Sequence, residues 1–186
     1  LLAESILAKK PGSDILYDVR ASRAVPDTVA RAGGTAHINR VGHAFFKTHM
    51  RKEGGVFGGE VSGHYYFADF YNADSGTIPA LLILELLSQK GQKLSELLDQ
   101  YRSKYFISGE INSEVADPAA KLEEIRERYR DGEISELDGI SVDYADWHFN
   151  VRPSNTEPLL RLNLESVVSQ EHMERKRDEV LALIRS

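Results

Sequence analysis

Two short segments of this 186-residue chain concentrate side chains that can recognise a ligand. The first is Gly58-Gly59-Glu60-Val61-Ser62-Gly63-His64. Its three glycines let the backbone turn tightly and approach a bound molecule closely. Glu60, Ser62 and His64 alternate, so in extended conformation all three would face one side. The carboxylate accepts hydrogen bonds, the hydroxyl does both and the imidazole does either, a combination suited to vicinal hydroxyls such as those of a sugar. A hairpin turn with incidental polar residues satisfies the same pattern. The second segment is Arg152-Pro153-Ser154-Asn155-Thr156-Glu157-Pro158. Two prolines stiffen it, and Arg152 offers a planar fork for bidentate phosphate binding. Ser154, Asn155 and Thr156 add donors, and the turn can aim backbone N–H groups at an anion. The competing reading is a surface turn with a local Asx motif, but this density of donors around one strong cation favours phosphate.

Other positions read less sharply. Arg20 ends the first strand, where α/β domains place ligand-facing residues, although a salt bridge would also explain it. Gly42-His43 opens a helix whose backbone amides could receive an anion. Trp147 and Tyr65-Tyr66-Phe67 are most simply core. Glu60 and His64 lie four apart in a glycine-rich, non-helical context, so no metal site is expected there. No Gly-Lys-Ser/Thr follows the glycines, which disfavours a nucleotide kinase.

The elements that must carry these loops alternate at first. The pattern predicts a helix at Leu1–Ala8, strands at Ile15–Val19 and Thr35–Arg40, and a helix from Pro26 to Gly33-Gly34. A helix over Gly42–Lys52 carries Phe45, Phe46 and His49 on one side. A third strand begins at Val56-Phe57, a fourth spans His64–Phe70, and Asn72–Gly76 is a turn. A helix then runs to Gln89, stopped by Gly91, and a short polar helix covers Lys93–Arg102. This alternation argues for a layered α/β domain. The character then changes. Tyr105–Val115 reads as one strand and Pro118–Arg130 as an amphipathic helix. Ile134–Phe149 reads as two short strands, Leu159–Leu164 as a half-buried strand and Ser169–Ile184 as a final helix. That pattern fits a small α+β domain, with the boundary dividing residues 1–102 from 103–186.

Composition bounds the function. Apolar residues make up 41% and charged residues 28%, the values of a globular protein. Cysteine is absent, which excludes disulfides and thiolate metal sites and fits a reducing, cytoplasmic compartment. The longest apolar run, Ile78–Leu87, contains Pro79 and Glu85 and falls short of the ~20 residues of a membrane span. No signal peptide or initiator methionine is visible, so an excised piece of a longer protein is expected. A net charge of -6 argues against nucleic acid as a partner. Thr28–Lys52 nevertheless holds five Lys/Arg and no carboxylate, whereas Asn112–Asn150 holds eleven Asp/Glu against four Lys/Arg. The basic stretch could attract a small anion or form one solvated helix face.

Taken together, these residues resemble the α-D-phosphohexomutase family, in its bacterial phosphomannomutase/phosphoglucomutase branch. Gly59-Glu60-Val61-Ser62-Gly63-His64 is similar to that family's sugar-specificity loop, and Arg152-Pro153-Ser154-Asn155-Thr156-Glu157-Pro158 to its phosphate-binding loop. Tyr65-Tyr66-Phe67, Asp74-Ser75-Gly76, Tyr17-Asp18-Val19-Arg20 and Gly42-His43 with Lys47 also fit, in the right order over nearly the whole chain. The resemblance implies that residues 1–102 are the family's third domain, an α/β layer with a mixed sheet. Residues 103–186 would be its fourth, a small α+β, TATA-binding-protein-like domain.

The resemblance also implies a division of labour. The family's first two domains carry the phosphoserine, in a Thr-Ala-Ser-His-Asn-Pro type loop, and an aspartate-rich Mg²⁺ loop. Neither motif occurs here, and Asp143 and Asp146 do not form the latter. The implied enzyme is an isomerase of carbohydrate metabolism, an intramolecular phosphotransferase. It interconverts mannose or glucose 6-phosphate and 1-phosphate through a hexose 1,6-bisphosphate. Within it Arg20, Gly42, His43, Glu60, Ser62 and His64 would bind the sugar, with Glu60 and Ser62 on O3 and O4. Arg152, Ser154, Asn155 and Thr156 would bind the phosphate that is not reacting. Arg20 stays protonated and is assigned to electrostatics, not proton abstraction. No catalytic residue and no metal ligand is expected in this chain, which would need the remaining domains as partners. Two other readings stay open: a freestanding, non-catalytic phosphosugar-binding module, and a structural α/β domain with incidental loops.

Overall fold

A computed structural model describes residues 1–154 and 157–186. It divides the chain into two compact units, Leu1–Tyr101 and Arg102–Ser186. The first contains α1 (Leu2–Lys9), β1 (Asp14–Asp18), α2 (Ala24–Arg31), β2 (Thr35–Asn39), α3 (His43–Glu53), β3 (Phe57–Gly59) and β4 (Tyr65–Phe67). A 3-10 turn (Ala68–Phe70), β5 (Ala73–Asp74), α4 (Thr77–Lys90) and α5 (Leu94–Arg102) follow. The strands form one sheet in the order β2-β1-β3-β4-β5. β1 is parallel to both β2 and β3, and the β3–β4 and β4–β5 pairs are antiparallel.

Alternation along β1 and β4 sends large apolar or aromatic residues to both faces. Ile15, Phe57 and Phe67 pack on one face with Ile6, Leu7 and Val29, joined by Ile78 and Leu82 of α4. Leu16 and Tyr66 pack on the other with Phe46 and Met50 of α3. Helix α3 therefore docks through two buried anchors at i and i+4, each contributing about 1.5–3 kcal/mol. Phe45, expected on the same side, is 42% exposed and carries the Arg40 guanidinium 4.4 Å from its ring centroid. The reason is angular: position 45 lies about 100° round the helix from Phe46.

The second unit contains β6 (Phe106–Ile107), β7 (Ile111–Glu114), α6 (Pro118–Arg128), β8 (Glu133–Ser135), β9 (Ile140–Asp143), β10 (Trp147–Pro153), β11 (Leu159–Ser166) and α7 (Gln170–Arg185). Its sheet runs β6-β11-β10-β9-β8, with β7 also paired to β11, and every pairing is antiparallel. Inward residues of β9, β10 and β11 bury one core with Ile125 of α6 and Met173, Val180, Leu181 and Ile184 of α7. Asp117 caps α6 by accepting from the Ala119 and Ala120 amides, with Pro118 at N1, and Ser169 caps α7 by accepting from the His172 amide.

Several element boundaries differ from the sequence reading. Tyr105–Val115 is two strands, because Gly109 takes a left-handed φ of 71° and breaks the pairing. Ile134–Phe149 spans β8, β9 and the start of β10. The fourth strand stops at Phe67, and Ala73-Asp74 pairs as β5 where a plain turn was expected. The largest change is that β10 runs on through Pro153, so Arg152 belongs to a strand and not to a loop.

Candidate functional site

In the first unit the parallel strands β1 and β3 end side by side, and the segments leaving them meet. Asp18, the last residue of β1, is completely buried. Its carboxylate accepts from the Arg20 amide at 2.8 Å and from Arg20 Nε and Nη2 at 3.2 and 2.7 Å. It also accepts from the Val61 amide at 2.9 Å. One carboxylate thus fixes Arg20 and the β3–β4 connection together. That connection is a hairpin and not an extended segment: the Glu60 amide donates to the His64 carbonyl at 2.9 Å and the Gly63 amide to the Glu60 carbonyl at 3.0 Å. The reversal brings Glu60 and His64 opposite each other, with Gly63 at a φ of 84°. Ser62 lies at the exposed tip, its hydroxyl 3.3 Å from His64 Nδ1.

Glu60 is buried, and both its oxygens are engaged. Oε2 accepts from the Gly42 amide at 2.9 Å, and Oε1 accepts from the Tyr66 hydroxyl in a short contact. The helix N-terminus expected to receive a ligand anion therefore holds this chain's own carboxylate, as unpaired N–H groups there favour. A carboxylate has about four acceptor positions, so Glu60 keeps capacity beyond these two bonds. Arg20 Nη2 stands 4.0 Å from Oε2. Burial pushes the Tyr66 phenol well above its ordinary value, and the Glu60 carboxylate pushes it further, so it acts here as a neutral donor. His43 starts α3 and lies edge-on to His64, with ring centroids 4.2 Å apart, and its Nδ1 is 4.0 Å from Asp74 Oδ2. Arg20, Gly42, His43, Glu60, Ser62 and His64 are thus brought into one cluster.

Two of its organising residues were given no role in the site by the sequence. Asp18 stands two residues before Arg20 at a strand end, a spacing that could have signalled a buried pair. Tyr66 reads as a core aromatic, and its ring does stack on Phe46 with centroids 5.1 Å apart. Only the tertiary pairing of β3 with β4 carries its hydroxyl to Glu60.

In the second unit, antiparallel register sets Arg152 directly across from Arg161. The two like charges are bridged by Glu110, which lies 3.2 Å from Arg152 Nη2 and 3.2 Å from Arg161 Nη1. Arg161 Nη2 donates to the Ser154 hydroxyl at 3.3 Å, and the Ser154 amide donates to the Leu159 carbonyl at 2.9 Å. Arg152 is buried, and its Nε has no hydrogen-bond partner among the described residues. Two guanidinium groups thus share the Glu110 carboxylate. Asn155 and Thr156 lie outside the described residues. Arg161 and Glu110 were missed in the sequence, although the alternation along Leu159–Leu164 places Arg161 on the polar face.

Comparison with known proteins connects these features. The phosphoglucomutase/phosphomannomutase alpha/beta/alpha domain III model matches residues 1–105, and the model of the C-terminal domain matches residues 110–183. The chain is 44% identical over 188 residues to a phosphomannomutase of Salmonella montevideo, covering all of this chain and 41% of that protein. It therefore spans about two fifths of the length of the curated relatives it matches. Among solved structures, a phosphoglucomutase/phosphomannomutase family protein from Burkholderia thailandensis superposes with a TM-score of 0.81. That pair is 28% identical, over 98% of this chain and 39% of the other. An N-acetylphosphoglucosamine mutase of Aspergillus fumigatus, solved in complex with GlcNAc-6P and magnesium, shares the fold. Its TM-score is 0.64 at 14% identity, over 99% of this chain and 45% of the other. With two family models covering nearly its whole length, the chain belongs to the phosphoglucomutase/phosphomannomutase family, of which it carries domain III and the C-terminal domain.

Proposed function

We propose that this chain supplies the sugar-hydroxyl and phosphate recognition of a hexose-phosphate mutase. The reaction is interconversion of hexose 6-phosphate and hexose 1-phosphate, of mannose or glucose, through a hexose 1,6-bisphosphate. Within it, Glu60, Ser62 and His64 read hydroxyls, with Arg20, Gly42 and His43 alongside. Arg152, Ser154, Asn155 and Thr156 bind a phosphate. Residues 1–102 and 103–186 are assigned as the two recognition domains. The observation that carries this reading is the preorganised Glu60 carboxylate. It is buried and fixed by the Tyr66 hydroxyl and the Gly42 amide, yet retains free acceptor positions beside an exposed serine and a half-buried histidine. A fixed acceptor spends no binding energy on ordering itself.

Phosphoryl transfer itself is assigned outside these residues. Mg²⁺ prefers an octahedral oxygen shell, and among the described residues the one cluster able to hold an ion contains two imidazoles. The residues present do not fit Mg²⁺, so its ligands are assigned to the part of the relatives that this chain does not span. The cysteine-free composition fits a cytoplasmic setting, and no helix among the described residues is long and apolar enough to cross a membrane.

Calorimetric titration of the chain with glucose 1,6-bisphosphate tests the assignment. Arg152→Lys keeps the charge but loses the planar fork, so affinity should fall by roughly 10-fold or more. The fluorescence of Trp147, in the same unit, checks that the variant is folded. Equal affinity for the wild type and a folded Arg152→Lys would remove the phosphate role of this strand.

A further inference from the structure

We infer that His43, Glu60 and His64 form a binding site for a borderline-soft divalent cation, of which Zn²⁺ is the probe. One ligand-capable atom from each of the three lies within 4.8 Å of the others, and no other His/Asp/Glu trio among the described residues comes so close. Two histidines and a glutamate are a recurrent Zn²⁺ donor set that leaves a fourth position open. In the tetrahedral arrangement, bonds near 2 Å bring donors to within about 3.5 Å of one another, so modest contraction closes the site. His43 is exposed and His64 half-buried, so both rings can rotate to make it, while Glu60 is the fixed member.

A metal-binding histidine is oriented by a partner on its other ring nitrogen. His64 Nδ1 has one in the Ser62 hydroxyl at 3.3 Å, and the Asp74 carboxylate stands 4.0 Å from His43 Nδ1, close enough to become one when the exposed ring rotates. Each His keeps a second ring nitrogen that can serve as the ligand atom. Glu60 is braced by the Tyr66 hydroxyl and the Gly42 amide. Arg20 stands 4.0 Å from Glu60 and opposes a cation, but its charge is balanced by the buried Asp18 at 2.7 Å. Two imidazoles select Zn²⁺, Co²⁺, Ni²⁺ or Cu²⁺ over Mg²⁺. The competition that follows rests on the function proposed above: an ion here occupies Glu60 and His64, so it and the sugar hydroxyls exclude each other.

Titrating the full chain with Co²⁺ and then displacing it with Zn²⁺ reads the site directly, because a four-coordinate Co²⁺ site absorbs strongly in the visible. One equivalent should bind and produce that band, while Mg²⁺ in excess should not displace it. His43→Gln and His64→Gln should each weaken binding on the order of 100-fold, and Asp74→Asn about 10-fold, as losses of outer partners do. His49→Gln is the control for an adventitious pair, since His37 and His49 also lie edge-on at 5.9 Å. Circular dichroism confirms that each variant is folded. No visible band, or a band equally retained in the His43 and His64 variants, overturns the site. Glucose 1,6-bisphosphate then separates the two ideas. If Co²⁺ binds and the sugar displaces it, both stand. Sugar binding without a Co²⁺ site refutes the metal inference alone, and a Co²⁺ site indifferent to the sugar refutes the shared use of Glu60 and His64.

Discussion

Tyr66→Phe isolates the bond on which the first site turns. Tyr66 is fully buried, and phenylalanine keeps its ring and its stack on Phe46. The substitution therefore opens no sizeable cavity and removes only the O–H donated to Glu60. A hydrogen bond to a charged group contributes about 1.5–3 kcal/mol. Complete isolation of a buried charge would cost about 3–5 kcal/mol, but the Gly42 amide at 2.9 Å and Arg20 at 4.0 Å still face Glu60. The loss should therefore stay near 1.5–3 kcal/mol, a fall in melting temperature of roughly 10 °C for a unit of this size. Urea unfolding followed by far-ultraviolet circular dichroism measures it. Trp147, the sole tryptophan, belongs to the second unit, and its fluorescence follows that unit. A loss below ~0.5 kcal/mol would mean that the phenol does not hold the carboxylate, and the case for a preorganised Glu60 would fail with it.

Asp18→Asn removes the counter-charge from Arg20, whose side chain is 7% exposed, and should cost about 3–5 kcal/mol. The Val61 amide should lose hydrogen-exchange protection in parallel, and a fully stable variant would contradict the pairing. Gly58→Ala would set a Cβ 2.8 Å from Phe46 Cδ1 and 3.5 Å from the Tyr66 ring, so overpacking should cost about 1–3 kcal/mol in urea unfolding. Weaker bisphosphate binding should accompany it as Tyr66 is displaced from Glu60. Burial chiefly holds the Tyr66, Tyr129 and Tyr144 phenols above the ordinary value of 10.0, Tyr129 at about 12. A raised folded value favours the fold below the unfolded one, so this stability is complete below pH 10 and is lost as the pH rises through the folded values. Spectroscopic titration of tyrosinate should show these three ionising last, and Tyr129→Phe should flatten the stability slope between pH 10 and about 12.

Local signals were enough for much of this molecule. Helix starts at Pro118 and Ser169, the stop at Gly91 and the alternation along Leu159–Leu164 depend on neighbours within a turn or two, and such signals survive in one dimension. The Gly59–His64 and Arg152–Pro158 motifs carried the family for the same reason, because spacing along the chain is what a motif records. What depended on chain reversal or on strand pairing was not legible. Glu60 and His64 share a side because a hairpin folds them together, and not because extended residues alternate. Gly42 gives its amide to a carboxylate eighteen residues away, Tyr66 reaches the same carboxylate only through the β3–β4 pairing, and Asp18 binds Val61 across forty-three residues. Arg161 meets Arg152 and Glu110 because antiparallel register aligns β10 with β11. Hydrogen bonds and charges act over a few ångströms of space irrespective of sequence separation. The residue types that could do the chemistry were therefore written in the chain, while the partners that hold each one in place were chosen by the tertiary fold.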